Sequence, residues 1–170
     1  MKIFYPEQYA DSVIDIDYKA LYRAGVRLIL FDVDNTLATY NRALPEPRIQ
    51  ALIQRLKKQG FEIVLVSNGG EHRVERFAAA LGVHYVYRAM KPLPSGVCRV
   101  LQQRNVQKKE AVLVGDQVFT DVWAGNWAGI HTVLTRPIST VDDEWITKIK
   151  RGLESRVIAR YLKKEGKKHE

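Results

Sequence analysis

The chain has 170 residues, 46% of them hydrophobic, with 27 Lys or Arg against 19 Asp or Glu and a net charge of +8. That length and apolar content make one domain around a single sizeable core, and a second domain is not expected. The lone Cys98 excludes an internal disulfide and a cysteine-type zinc site, no apolar run approaches the roughly 20 residues of a membrane span, and residues 1–10 lack the apolar stretch of a signal peptide, so the chain is expected in the cytoplasm.

The charge is concentrated at one end. Residues 148–170 hold nine Lys or Arg and three Glu, while the rest of the chain is nearly neutral. A basic end of this kind suits anionic lipid, nucleic acid or an acidic partner, or is a solvated helix face.

Residues 3–16 mix aromatics, acids and Ile without periodicity and read as an ordered lead-in. Asp17 can cap a short helix over 18–24 that Gly25 ends. Residues 26–31 form the first expected strand, nearly continuous in apolar residues, as for a strand covered on both faces. Pro45 and Pro47 open a helix whose Ile49, Leu52, Ile53 and Leu56 share one face, and Gly60 stops it. A strand over 61–66 follows and ends in Ser67-Asn68-Gly69-Gly70. Val74, Phe77, Ala78 and Leu81 repeat the helical face.

A short strand over 83–87 leads to Lys91-Pro92, then a helix over 95–104, and a buried strand over 111–114 ends in Gly115-Asp116-Gln117. Thr120 and Asp121 start the next helix, Gly129 closes it, and a strand over 131–134 is the fifth. This alternation predicts an α/β fold: a parallel sheet of about five strands with helices on both faces. From Asp142 a basic amphipathic helix is expected, with Ile146, Ile149, Leu153, Val157 and Tyr161 along its apolar side. Packing of that side on the domain, membrane-surface contact and partner binding all fit it. The division is 1–141 as the domain and 142–170 as its helix and tail.

The chemistry centres on Phe31-Asp32-Val33-Asp34-Asn35-Thr36-Leu37. An apolar strand delivers two carboxylates at its carboxyl end, where parallel sheets carry their sites, and strand alternation turns both to the same side. Two acids in one small site ask for a cation between them, and oxygen ligands suit Mg²⁺. Ser67 with Asn68, Lys91, and Asp116 with Asp121 stand at other strand ends or helix starts, so the topology can gather them on the same edge. Taken singly, each has an ordinary reading as a cap, a turn or a solvated lysine.

Together, over about residues 26–135, they resemble the haloacid dehalogenase-like superfamily: Asp-x-Asp-x-Thr at Asp32, Asp34 and Thr36, then Ser67, then Lys91, then Gly115-Asp116 with Asp121. More narrowly they are similar to the YqeG-type, subclass IIIA phosphatases, which are related to phosphatidylglycerophosphate phosphatases. The resemblance implies a three-layer Rossmann-like fold and a Mg²⁺-dependent phosphatase acting through an aspartyl-phosphate. Asp32 would be the nucleophile and Asp34 the general acid and base. Ser67, Asn68 and Lys91 would hold the phosphoryl oxygens, and Asp32, Asp116 and the backbone carbonyl of Asp34 would bind metal. Thr36, Thr120, Asp121 and Asn126 would support them.

Neither 37–61 nor 68–90 has room for an inserted cap, so the site is expected to be largely open or covered by a neighbouring subunit in an oligomer. An open site favours a phosphorylated substrate that projects from something large, and a lipid phosphate fits a basic tail at a membrane surface. Two alternatives are a signalling receiver, whose acidic pair lies one strand before its acceptor, and a catalytically weak binding protein using the basic tail on RNA, a membrane or a partner protein.

Overall fold

The computed structural model describes residues 2–141 and 145–166. Six parallel strands make one sheet: β1 (Gln8–Ala10), β2 (Leu28–Phe31), β3 (Glu62–Val66), β4 (His84–Val86), β5 (Ala111–Gly115) and β6 (His131–Thr135), in the order β1-β6-β5-β2-β3-β4. Six helices accompany them: α1 (Tyr18–Arg23), α2 (Pro47–Lys58), α3 (Glu71–Leu81), α4 (Ser95–Arg104), α5 (Trp123–Ala128) and α6 (Trp145–Gly166).

Every residue of β2 is buried, because neither face of this central strand meets water. Alternation splits its side chains between two apolar layers. Ile29 and Phe31 pack with Ile53, Leu56 and Phe77 from α2 and α3, and Leu28 and Leu30 pack with Val97 and Val100 of α4 and Ala124 of α5. The result is the expected three-layer α/β sandwich.

Register fixes where the chemistry can sit. Phe31 pairs with Leu65 on one side and Val114 on the other, so β2, β3 and β5 end level with one another. The chain leaves β2 toward β3 and β4, then crosses back to β5 and β6 on the other side. The crevice at such a reversal, beyond the carboxyl ends, is where open α/β sheets bind ligands.

Three expectations need correction. The sheet has six strands, because the lead-in contributes β1, an edge strand that pairs Tyr9 with Leu134. Gln8-Tyr9-Ala10 has neither the length nor the apolar continuity of the interior strands, because one long side of an edge strand faces away from the sheet. The helix expected from Thr120 begins as a π-helical turn, Val118–Val122, before α5.

The third correction concerns α6. Its described part starts at Trp145; residues 142–144 lie outside the described residues. Ile149 and Leu153, placed on its inner side by the apolar pattern, are 59% and 51% exposed, and the side chain of Ile146 lies outside the described ones. The face turned to the domain runs through Thr147, Lys150, Arg151, Glu154, Ile158 and Tyr161, a stripe of helical period that is polar in its first half.

Candidate active site

Asp32 follows the last residue of β2, its N–H donating to the carbonyl of Val114 at 2.9 Å. Its carboxylate Oδ1 lies 2.6 Å from Lys91 Nζ, which is also 2.6 Å from Oδ1 of Asp121. Lys91 is almost fully buried. Its backbone is fixed by Asn68, whose side-chain amide donates to the Lys91 carbonyl at 2.8 Å and accepts from the Lys91 N–H at 2.9 Å. Both side-chain polar ends of Asn68 therefore orient the lysine. Ser67, the first residue after β3, accepts from the Gly69 N–H at 3.0 Å.

Asp116, just past β5, receives the Thr36 hydroxyl on Oδ1 at 3.1 Å and Nη2 of Arg151 on Oδ2 at 2.6 Å. Asp121 accepts the Gln117 N–H at 3.0 Å on the oxygen that Lys91 does not use. One carboxylate oxygen from each of Asp32, Asp116 and Asp121 lies within 4.8 Å of the others, and all three residues are buried. Three carboxylates against Lys91 and Arg151 leave the cluster short of positive charge. An all-oxygen donor set with that deficit fits a hard divalent cation such as Mg²⁺.

Electrostatics follow from burial. Desolvation pushes the Asp32 carboxyl well above the usual carboxylate range; Lys91 opposes this, and the charges of Asp121 and Asp116 add to it. Asp116 is pushed up to about 7 by burial and by Asp121, against Arg151 and Thr36. Burial works against a charged Lys91, yet Asp121 and Asp32 outweigh it and raise its pKa above the ordinary lysine value.

Asp34 faces the same cavity but pairs elsewhere. Arg73 on α3 donates to its Oδ1 through Nε at 2.9 Å and Nη2 at 2.5 Å, and reaches the carbonyls of Arg42 and Thr39 with its remaining donors. Asp32, Asp34, Ser67, Asn68 and Lys91 line one cavity of about 360 Å³, and Thr120 joins them. No inserted domain covers it among the described residues; its remaining wall includes Thr147 and Lys150 of α6.

Of the residues expected here, Asn126 stands apart. Its amide donates to the carbonyls of Ile3 at 2.8 Å and Tyr5 at 2.9 Å, and its Oδ1 accepts from Thr132 at 3.0 Å. It fastens the N-terminal segment to α5 and β6. Sequence reasoning missed Arg73, Arg151 and Lys150. A single arginine on an exposed-looking helix carries no local signal, but the polar stripe at 147, 150, 151 and 154 was there to be found with the helical period applied to polar residues as well.

The chain is similar to known proteins along most of its length. Residues 39–129 match the haloacid dehalogenase-like hydrolase family. The probable phosphatase YqeG of Bacillus subtilis (strain 168) is 33% identical over 165 residues, covering 97% of this chain and 95% of that protein. A phosphatidylglycerophosphate phosphatase 1 of Arabidopsis thaliana, chloroplastic and mitochondrial, is 31% identical over 88% of this chain, which spans only 45% of that protein. Among solved structures, the cobalt-bound deoxy-D-mannose-octulosonate 8-phosphate phosphatase of Haemophilus influenzae superposes with a TM-score of 0.54 at 16% identity, over 66% of this chain and 69% of that one, and shares its fold. Sheet order, the gathered acids and these similarities agree that the chain belongs to the haloacid dehalogenase-like hydrolase family and is a phosphatase of it.

Proposed function

We propose that the protein is a Mg²⁺-dependent phosphomonoester hydrolase that works through an aspartyl-phosphate. The observation that carries this reading is the buried cluster itself: a carboxylate at a strand end, bonded to a buried lysine and within 4.8 Å of two further acids. Burying three carboxylates is costly unless cations offset their charge, and Lys91 and Arg151 offset only part of it.

In this reading an Asp32 oxygen attacks phosphorus, and the P–O bond to the substrate alcohol breaks. Asp34 gives the departing oxygen its proton, then takes one from the water that attacks the phosphoenzyme, releasing phosphate and restoring Asp32. The Lys91 ammonium, the Ser67 hydroxyl and the Asn68 backbone N–H hold the phosphoryl oxygens. Asp32, Asp116 and the backbone carbonyl of Asp34 would hold Mg²⁺, with Thr36 orienting Asp116 and Asp121 orienting Lys91. When bound, the ion adds positive charge beside the phosphoryl oxygens and the acids.

The cavity of about 360 Å³ admits a phosphoryl group and the beginning of its alcohol, so the bulk of a large substrate would stay outside. A lipid phosphate of the phosphatidylglycerophosphate type fits, in keeping with the name of the Arabidopsis relative. Peripheral membrane contact would come through 142–170, where the exposed Ile149 and Leu153 sit among basic residues.

Purified protein with Mg²⁺ is assayed on an aryl phosphate and a panel of phosphate esters that includes lipid phosphates. Activity abolished by Asp32→Asn is the expected result. Silence across the panel, or an unaffected Asp32→Asn variant, would turn the reading toward a binding protein.

A further inference from the structure

Among the described residues, the cations around the cavity divide into those already committed to a carboxylate and one that is not. Lys91 is shared between Asp32 and Asp121, Arg73 is spent on Asp34, and Arg151 is spent on Asp116. Lys150 lines the same cavity, is half-buried, and pairs with no carboxylate among the described residues. An ammonium in a cleft with no anionic partner is a place for an anion to bind.

The helix that carries it is anchored. The next residue, Arg151, is clamped to Asp116 at 2.6 Å, Glu154 accepts the Phe119 N–H at 2.9 Å, and the Tyr161 hydroxyl donates to the Glu7 carbonyl at 3.3 Å. These contacts tie α6 to the segment after β5 and to the residue before β1. Lys150 is therefore presented to the cavity by a fixed element.

The groups proposed to grip the phosphoryl group, Ser67, Asn68 and Lys91, come from the loops after β3 and β4, whereas Lys150 enters from α6. Both sets line a cavity large enough for more than one phosphoryl group. We propose that Lys150 is a specificity-determining residue that binds a second anionic group of the substrate, carried on the leaving alcohol. This rests on the phosphatase reading above and narrows it. The preferred substrate bears a phosphomonoester and, a few bonds away, a further negative charge, either a phosphodiester within a lipid or a second phosphate on a small soluble alcohol.

The test compares leaving groups. The full chain and its Lys150→Met and Lys150→Arg variants are assayed with Mg²⁺ on phosphatidylglycerophosphate, whose leaving alcohol carries a phosphodiester, and on phosphatidic acid, whose leaving alcohol is uncharged. Both are presented in the same neutral detergent micelles. A soluble pair, glycerol 1,3-bisphosphate and glycerol 1-phosphate, asks the same question without lipid. Wild type is expected to prefer the doubly anionic member of at least one pair, and which pair identifies the source of the second charge. Lys150→Met should reduce that preference in kcat/KM about tenfold, chiefly through KM, the size of one hydrogen bond to a charged group, and Lys150→Arg should retain most of it. Equal losses on both members of each pair would mean that Lys150 serves the cleaved phosphoryl group, and would overturn the proposal. So would a wild type with no preference in either pair, while leaving the phosphatase reading intact. A wild type inactive on every substrate, aryl phosphates included, would overturn that reading and the proposal with it.

Discussion

Gly115 leaves empty the space beside which Asp121 stands: a Cβ on Gly115 would lie 2.3 Å from Cγ of Asp121. The last residue of β5 thus has to lack a side chain for Asp121 to reach Lys91. Gly115→Ala is expected to push Asp121 off the lysine and cost about 1–3 kcal/mol of stability through overpacking. Phosphatase activity should fall further than the fraction of folded protein does, as measured by activity per folded molecule alongside thermal melting.

Arg73 and Asp34 make a second testable pair. If Asp34 moves protons, Asp34→Asn should lower kcat/KM by about 10²- to 10⁴-fold on alkyl phosphates and much less on 4-nitrophenyl phosphate, whose leaving group needs no proton, while kcat falls on both because water attack on the phosphoenzyme also uses Asp34. Arg73→Ala, by loosening the same carboxylate, is expected to lower kcat/KM on alkyl phosphates more than on 4-nitrophenyl phosphate. Kinetics identical to wild type on both would remove Arg73 from the machinery.

Arg151 and Asp116 are both sheltered, with side chains 14% and 0% exposed. Arg151→Met strands a buried acid, which typically costs about 3–5 kcal/mol. The double variant Arg151→Met/Asp116→Asn should recover much of that loss in denaturant unfolding, because the carboxylate that Arg151 balanced is gone with it. Additive losses would show that the arginine matters for its packing alone.

Asp116 also sets a pH dependence. Its carboxyl titrates at about 7 in the fold and near 4 when unfolded, so between those values the native state binds more protons than the unfolded chain. A raised carboxyl makes stability fall as pH rises: the loss begins near pH 4 and is complete above about 7. In EDTA, this contribution should lower the melting temperature as pH rises across that window. The gain on adding Mg²⁺ should be small at its acid end and largest at its alkaline end, because a divalent cation binds the ionised acid. The Asp116→Asn variant should weaken both trends, and what remains belongs to Asp32, whose carboxyl burial also raises.

Asn126 supplies a contrast. Asn126→Ala removes the bonds to Ile3, Tyr5 and Thr132 and should cost about 1–3 kcal/mol of stability with kcat unchanged, measured well below the melting temperature.

What the sequence makes legible is what repeats or what converges. The interior strands show as unbroken apolar runs because both faces are covered, and Asp32, Ser67 and Asp116 show because each directly follows such a strand, while Lys91 stands in the loop after the short edge strand β4. β1 escapes because three residues at an edge have little to bury. The seating of α6 escapes because apolar periodicity asks only which side chains avoid water, whereas its inner stripe begins with Thr147 and Lys150, which line the cavity, and with Arg151 and Glu154, whose partners at Asp116 and Phe119 lie 35 positions away on another element. Asn126 was misplaced for the converse reason: a polar residue close in sequence to the acids of β5 belongs in space to the N-terminal segment.

The pairing of β1 with β6, and of Arg151 with Asp116, also fixes a timetable. During synthesis the first strand waits unpaired while five others are made, and Asp116 is buried without its arginine until α6 has followed every strand out of the ribosome. β1 and α6 each dock on an element made far from them in the chain, and Asp116 gains its arginine only once α6 is seated.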